Sequence, residues 1–304
     1  SYVESQFEFN LISPSVLDYS VIDGTEPAES MLTVNEYIAE DYWFAVNGSS
    51  LPENLQGVRS RADEISEKYG VRILLSSQCL PACTFAEYPT TTTDQMDLAD
   101  EAASINAALD SLEEALSLYP AGFFPQFRSE FGDGGIRIML VGGFESNFNM
   151  IGYSVQNSLW HNIYVDIFSE GLVGTYCHEI WHATEDHITS INYGEFDVVQ
   201  WAELNPDGFQ YIFDPAESIL NEGDYTYFGS TKPKDCYFID GYAKTNERED
   251  RARIMEYAMT GFFGSELSEY PHLYAKLRYM SDKIRQYFDT TGWNTPRWED
   301  ALGE

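Results

Sequence analysis

Basic residues are scarce in this chain of 304 residues, in which 17 Lys and Arg stand against 50 Asp and Glu for a net charge of −33. So acidic a surface repels phosphates and anionic lipid headgroups, which excludes nucleic acids and anionic membranes as expected partners. Long apolar runs are also lacking. No segment approaches the roughly 18 apolar residues that a membrane-spanning helix needs, so we expect no membrane span.

Cysteine is rare as well, with four residues in the whole chain. Cys79 and Cys83 are close enough in sequence to be candidates for a local disulfide in an oxidising compartment. Cys177 directly precedes a histidine, and on a helix it points about 100° away from that neighbour. We therefore expect Cys177 to be a small buried residue and not a metal ligand.

The first five residues show neither a basic start nor an apolar signal core, and the chain does not begin with Met. We expect a processed or trimmed protein, secreted or displayed at the cell surface, whose targeting segment has been removed.

We also expect it to be a monomer. Hydrophobic residues make up 43% of the chain, which is enough for a packed core.

The order of the predicted elements favours an α+β fold. Residues 1–45 are predicted to form an N-terminal arm with a helix near 34–44, and residues 46–304 a single domain. Helical periodicity and stop signals predict further helices at 53–69, 94–119, 171–187, 247–263 and 273–288. Strands are predicted at 71–75, at 136–141 and in two runs within 151–168.

The second of those two runs, 160–167, alternates polar and apolar residues and is predicted to be an edge strand. The elements then divide into an upper part with a small mixed sheet, up to about residue 188, and a mainly helical lower part, 189–304. The predicted helix at 171–187 lies between the two parts, where a cleft is expected.

Two of the five histidines lie in the run His178-Glu179-Ile180-Trp181-His182. On a helix, residues four apart share one face, so both imidazoles can hold a single Zn²⁺. Glu179 then lies beside the metal, where its carboxylate can take a proton from bound water. The alternative is a helix that carries these three side chains without any metal.

A catalytic zinc normally has three protein ligands and one open position, so a third ligand must lie elsewhere. His187 follows His182 by five residues, whereas the extended three-histidine pattern requires six, and Glu185 occupies the place of its glycine. That pattern is therefore excluded. Glu185 and Asp186 are too close to the histidines on the same helix to wrap round a metal comfortably.

A better candidate is Glu249, on a predicted helix that begins after Asn246. A glutamate delivered by a second helix completes the two-histidine, one-glutamate arrangement. Two explanations without a metal remain open: Asn246 and Glu249 form a capping box, or Glu249 pairs with Arg253. Two other glutamates compete for the ligand role, Glu247 and Glu256.

Tyr242 stands seven residues before Glu249, and the segment continues as Glu249-Asp250-Arg251-Ala252. With the upstream H-E-x-x-H run, this resembles zinc peptidases similar to the anthrax lethal factor catalytic domain and related bacterial secreted zinc-binding metallopeptidases. The resemblance covers about residues 70–265. It implies a gluzincin-like zincin fold, zinc held by His178, His182 and Glu249, and a phenol donor to the oxyanion at Tyr242.

Together these features predict a zinc metalloendopeptidase that acts on peptides or proteins, with Glu179 as general base and Tyr242 as oxyanion donor. The predicted edge strand would hold the substrate extended along residues 162–167. Asp250 and Glu256 are candidates to orient the histidines. Three other functions remain open: a zinc amidase acting on a non-protein amide, a surface binding protein that keeps the zincin fold without activity, and a structural zinc site.

Overall fold

The computed structural model describes residues 51–303, apart from 85, 87, 130–131, 133, 146–149, 158, 193–195, 197 and 214–225. The predicted arm at 1–45 and its helix near 34–44 lie outside the described residues. The α-helices, in chain order, are α1 Gln56–Tyr69, α2 Leu80–Thr84, α3 Glu101–Ser117, α4 Leu172–Asn192, α5 Val198–Glu203, α6 Glu247–Thr260, α7 Pro271–Tyr287 and α8 Arg297–Asp300. The strands are β1 Arg72–Leu75, β2 Thr90–Thr91, β3 Gly135–Val141, β4 Gly143–Phe144, β5 Gly152–Asn157, β6 Trp160–Asp166, β7 Thr226–Tyr227 and β8 Cys236–Phe238.

The main sheet has four strands in the order β1-β3-β6-β5. Strands β1, β3 and β6 run parallel, whereas β5 is antiparallel to β6. The chain therefore reaches α4 directly after the β5–β6 hairpin. Because β5 ends the sheet on that side, its outer backbone groups form an edge beside the helix that carries the two motif histidines.

The prediction of an edge strand at 160–167 is wrong, because β6 lies between β3 and β5. Its polar positions suggested a solvated face, but His161 and Asn162 are both buried. The buried Arg137 on β3 donates from Nε to Asn162 Oδ1 at 2.7 Å. A polar side chain can lie in a core when a neighbouring strand supplies its hydrogen-bond partner, and sequence alternation does not reveal that partner.

The helix predicted at 94–119 begins late, at Glu101. Thr92 and Gln95 form a capping box that closes a short 3-10 turn at Thr93–Gln95, and Asp100 caps α3 by accepting from Ala103 N at 3.0 Å. The helix predicted at 53–69 starts as a 3-10 turn and ends at Gly70, whose φ of 78° is left-handed. Glycine adopts that conformation without steric cost, so it terminates α1.

Helices α4 and α6 pack against each other below the sheet. One continuous apolar cluster includes side chains of the sheet, of α3 and α4 and of the C-terminal helices, as far as Leu302. The two halves of the chain therefore share a core, and the cleft lies where the edge of the sheet passes over α4 and α6. None of the helices in the described residues combines the length and apolar character needed to cross a bilayer.

The candidate disulfide between Cys79 and Cys83 is not formed, and all four cysteines are free thiols. Cys79 ends a 3-10 turn and donates its buried thiol to Leu140 O at 3.7 Å, beneath β3. Cys83 lies one helical turn later and is half-buried. The prediction that Cys177 is a small buried residue is confirmed, since no part of it is exposed.

Candidate metal centre

Helix α4 contains the motif, and it covers all but the first residue of the predicted span. His178 and His182 lie one turn apart and are both buried at the bottom of the cleft. Their Nε2 atoms are 3.2 Å apart. The helical spacing therefore directs two imidazole nitrogens to the same point, as the motif predicts.

Helix α6 delivers Glu249 to that point. Asn246 caps α6 by accepting from the backbone N–H groups of Arg248 and Glu249, at 2.9 and 3.0 Å. The side chain of Glu249 turns to the histidines, and its Oε2 lies 3.0 Å from His178 Nε2 and 3.5 Å from His182 Nε2. His178, His182 and Glu249 thus form a group of three potential ligands among the described residues.

The spacing of these three atoms suits a small tetrahedral cation. Ligands about 2.0–2.2 Å from a tetrahedral zinc are separated from one another by roughly 3.3–3.6 Å. The observed separations of 3.0, 3.2 and 3.5 Å between the Nε2 atoms of His178 and His182 and Oε2 of Glu249 come close to that range. Two imidazole nitrogens and one carboxylate oxygen are also the donor set found in catalytic zinc sites.

The hydrogen bonds of His178 point to the same conclusion. Its Nδ1 lies 3.2 Å from Glu256 Oε2. Burial raises the pKa of the Glu256 carboxyl, but the hydrogen bond with His178 and the charge of Arg253 outweigh burial and lower it. Nδ1 of a neutral His178 therefore carries the proton, and its Nε2 lone pair faces the Glu249 carboxylate and the second imidazole. The Nε2 lone pair of His178 and the Glu249 carboxylate, 3.0 Å apart, therefore repel each other unless a cation or a proton lies between them.

In the absence of a cation, the same carboxylates favour the protonated form of His178. Burial lowers the pKa of His178, but the hydrogen bonds with Glu249 and Glu256 outweigh burial and raise it to about 10. For Glu249 the signs are reversed. Burial raises its pKa, but the charge of His182 and the hydrogen bonds with the two histidines lower the pKa well below its ordinary value. The residues present therefore fit a divalent cation, which would take the place of the proton between the ligands.

Glu179 is buried beside the histidines, and its Oε2 has no hydrogen-bond partner among the described residues. Burial raises the pKa of Glu179 to about 7, although the charges of His178 and His182 oppose that rise. A carboxylate with a pKa near neutrality can both accept and return a proton at physiological pH.

Tyr242 stands in a short 3-10 turn, Tyr242–Lys244, and lines the cleft together with residues of β5. Its ring centroid is 6.2 Å from that of His178, and Tyr242 lines the same cavity as Glu249. Burial and the Glu249 charge raise the pKa of Tyr242. The phenol therefore keeps its proton and remains a hydrogen-bond donor in the cleft.

The other acidic candidates on α4 have basic partners. The buried Glu185 pairs with Arg251, and Asp186 pairs with Arg248 at 2.8 Å. Glu247 lines a different cavity, beside Trp201. None of these carboxylates is grouped with the motif histidines in the described structure.

Asp250, one of the two candidates to orient a histidine, does not do so. It is fully buried and accepts from Lys276 Nζ at 2.7 Å and from the Tyr211 hydroxyl at 2.9 Å. Because Asp250 follows Glu249 directly, the helix turns it about 100° away from the motif histidines and into the lower core. Glu256, two turns after Glu249, has the predicted contact with His178.

His187 lies on another face of α4, among aromatic rings. Its ring centroid is 4.7 Å from Phe127, 5.4 Å from Phe288 and 5.7 Å from His161. Burial lowers the pKa of His187 to about 4, and burial together with the charge of His187 lowers that of His161 to about 3. Both histidines are therefore neutral packing residues at physiological pH.

This pair gives an expected pH dependence of folding. The unfolded chain binds protons at both histidines below about pH 6.5, whereas the folded chain does so only near pH 4 and pH 3. Stability is therefore lost as the pH falls below 6.5, by about 1–2 kcal/mol per histidine at pH 5. Urea unfolding of wild type and His187→Phe at pH 7.5 and 5.0 measures this loss of stability. The variant should lose less stability, and equal losses would contradict this account.

The cleft consists of two cavities that meet at His178 and Glu179. One, of about 530 Å³, runs along β5 from Gly152 to Gln156 and reaches Glu249. The other, of about 360 Å³, lies between Met150, Tyr242 and the side of α6. An elongated molecule lying across the three converging ligand atoms would therefore contact both cavities.

Gly152 brings β5 close to the motif helix. A Cβ at this position would lie 2.9 Å from Glu179 Oε1 and 3.1 Å from Thr175 Cγ2. We expect Gly152→Ala to displace the Glu179 carboxylate and to lower turnover of the hydrolysis predicted from the sequence about tenfold or more. The cost in stability should stay near 1 kcal/mol.

Gly57→Ala is the matched control, because a Cβ there would meet nothing within 4 Å on α1. It should stabilise the protein by about 0.4–1 kcal/mol and leave turnover unchanged. Steady-state kinetics with urea unfolding of both variants measures the two effects. Equal turnover in Gly152→Ala and Gly57→Ala would show that the close approach of β5 has no role.

Asp240, which lies before the Tyr242 turn, had no signal in the sequence, and Arg253 was considered only as a partner of Glu249. Arg253 lies on α6 and contacts Asp240 and Glu256 instead. Gly174 has a structural reason as well, since a Cβ there would lie 3.0 Å from Glu256 Oε1. These contacts join segments that are distant in the chain, so local spacing does not indicate them.

Comparison of the chain with protein-family models, with curated proteins and with solved structures finds no significant match.

Proposed function

We propose that this protein is a zinc-dependent metallopeptidase of the gluzincin-like kind, secreted or held at the cell surface. One observation carries the proposal: Nε2 of His178, Nε2 of His182 and Oε2 of Glu249 converge within 3.5 Å of one another, with Glu179 beside them. A purely structural zinc is disfavoured, because such sites are usually closed by four protein ligands and rich in cysteine. This donor set contains three groups and faces an open cleft.

A bound Zn²⁺ would acidify a water molecule and polarise the substrate carbonyl. The protein side chains would handle the protons. Glu179 would accept a proton from the attacking water and pass it to the amide nitrogen as the C–N bond breaks, as its pKa near 7 favours. The Tyr242 hydroxyl would donate a hydrogen bond to the carbonyl oxygen as negative charge develops on it.

The substrate backbone would lie along β5, the strand at the edge of the sheet. This replaces the substrate position predicted at 162–167, which belongs to an internal strand. An extended peptide adds to an open strand edge through main-chain hydrogen bonds, and β5 lines the larger cavity over most of its length. A peptide-inhibitor complex without main-chain bonds to β5 would contradict this placement.

Parallel assays of unfolded proteins, short peptides and peptidoglycan fragments test the proposed reaction class. We expect internal peptide bonds to be cleaved, with activity lost on chelation and restored by added zinc. Cleavage of the cell-wall amide alone would indicate a zinc amidase. Stoichiometric zinc without turnover of any of these substrates would support a binding protein, and the peptidase proposal would be abandoned.

A further inference from the structure

We infer that Arg253 is a positioning residue that couples the metal ligand His178 to the turn carrying Tyr242. The inference rests on the proposed function and names a residue that the reaction itself does not require. Arg253 lies on α6, one turn after Glu249, and forms part of the wall of the smaller cavity. Its guanidinium contacts two carboxylates, one on each side of it.

On one side Arg253 acts on the histidine. Its Nη1 donates to Glu256 Oε2, the same oxygen that lies 3.2 Å from His178 Nδ1. An imidazole that binds a metal is oriented by the acceptor at its other nitrogen, so the position of Glu256 sets the aim of His178 Nε2. A single contact with His178 leaves the Glu256 carboxylate free to rotate. The guanidinium restricts that rotation by holding the carboxylate from the other side.

On the other side Arg253 acts on the tyrosine turn. Its Nε donates to Asp240 Oδ2 at 3.0 Å, and its Nη2 donates to the same oxygen. The second oxygen of Asp240 accepts from the backbone N–H of Ala243 at 3.0 Å, within the 3-10 turn that begins at Tyr242. The planar guanidinium thus connects Asp240, which caps the turn of Tyr242, with Glu256, which orients the His178 ring.

Arg253 and Glu256 are largely removed from solvent, with 20% and 15% of their side chains exposed, whereas Asp240 is 35% exposed. The charge-assisted hydrogen bond between the two more buried groups is stronger than a surface ion pair and fixes their geometry. A lysine could meet either carboxylate but not both with a fork of donors. The relation between ligand and phenol should therefore depend on arginine in particular.

The first arm of the test measures Zn²⁺ affinity by competition with a chromophoric chelator and needs no substrate. Arg253→Gln and Glu256→Gln should each weaken zinc binding about 10–100-fold, as loss of an outer partner does. The double variant should be no weaker than Glu256→Gln alone, because both act on His178 through one contact. Arg253→Lys should be intermediate. Arg61→Gln, which removes a partly exposed ion pair with Asp110, is the matched control and should bind zinc like wild type.

The second arm measures turnover of a cleaved peptide. Asp240→Asn should lower kcat about tenfold and leave zinc affinity within about threefold. In a Tyr242→Phe background, Asp240→Asn should cost nothing further, because its effect passes through the phenol.

Two results would overturn the coupling. Arg253→Gln could lower the free energy of unfolding and leave the zinc dissociation constant within twofold, or the effects of Arg253→Gln and Glu256→Gln on zinc affinity could be fully additive. Full additivity of Asp240→Asn and Tyr242→Phe would overturn the tyrosine arm. If no substrate is hydrolysed, the zinc arm still decides the role of Arg253, so failure of the peptidase proposal is distinguishable from failure of this inference.

Discussion

Glu179→Gln should abolish nearly all hydrolysis while the protein keeps its zinc and its fold. The amide matches the carboxylate in shape but cannot accept the proton of the attacking water. General acid–base groups typically contribute about 10²–10⁴-fold to turnover, so we expect kcat to fall by that amount with KM little changed. Steady-state kinetics together with the metal content of each purified protein measures the effect.

Stability provides a separate check on this variant. The Glu179 carboxylate is buried, with one oxygen unpartnered among the described residues, and burial raises its pKa to about 7. The fold therefore disfavours its ionised form, and a neutral amide should not reduce the free energy of unfolding of the metal-free protein. Glu64→Gln, at an exposed position on α1, is the control and should change neither property. Retention of full activity by Glu179→Gln would remove the proposed mechanism.

Glu249→Ala should cost more zinc affinity than any other single carboxylate substitution in the protein. Its Oε2 lies within 3.5 Å of both histidine Nε2 atoms, so the variant loses a direct ligand. We expect a loss greater than the ~100-fold that follows removal of an outer partner such as Glu256. Equilibrium dialysis or chelator competition gives the dissociation constant, and hydrolysis should disappear with the metal.

Glu247→Ala is the matched control for Glu249→Ala. Both glutamates stand in the first turn of α6, but Glu247 lines a separate cavity with Trp201 and Tyr211. Its removal should leave zinc affinity and turnover unchanged. A larger loss in Glu247→Ala than in Glu249→Ala would show that the third ligand has been assigned to the wrong carboxylate.

The sequence was most informative where short-range rules decide the structure. Asn246 was predicted to cap α6, and it does so by accepting two backbone N–H groups. The helix predicted at 53–69 does end at Tyr69, and the left-handed φ of 78° at Gly70 explains why. The two histidines of the motif lie on one helical face because residues four apart always do. The late start of α3 was missed because a capping box at Thr92 closes a separate turn before the helix begins.

Contacts between residues that are distant in the chain could not be predicted in the same way. The run at 160–167 was predicted to be an edge strand because its polar residues suggested solvent, but Arg137 on the neighbouring strand satisfies Asn162 inside the core. Asp250 was a candidate to orient a histidine by proximity to Glu249, yet it pairs with Lys276. In both cases the deciding partner is at least 25 residues away in the chain.

In the candidate site, too, the features set by short-range spacing could be predicted and those set by distant contacts could not. His178 and His182 follow from a five-residue pattern, whereas Glu249 had equally good explanations as a capping-box member or as a partner of Arg253. The structure assigns the cap to Asn246 alone and pairs Arg253 with Asp240 and Glu256, which leaves the Glu249 carboxylate for the histidines. The contribution of β5, through the close approach at Gly152, depends on sheet order, which residue spacing does not encode.

The central claim is that one zinc ion is held by His178, His182 and Glu249 with an open fourth position. A crystal structure of the protein purified without chelator, with anomalous data collected on both sides of the zinc edge, tests it most directly. We expect one zinc peak per chain, about 2.0–2.2 Å from the Nε2 atoms of both histidines and from the Glu249 carboxylate. The claim would be contradicted by the absence of metal, by Glu247 or Glu256 as the third ligand, or by a fourth protein ligand that closes the site.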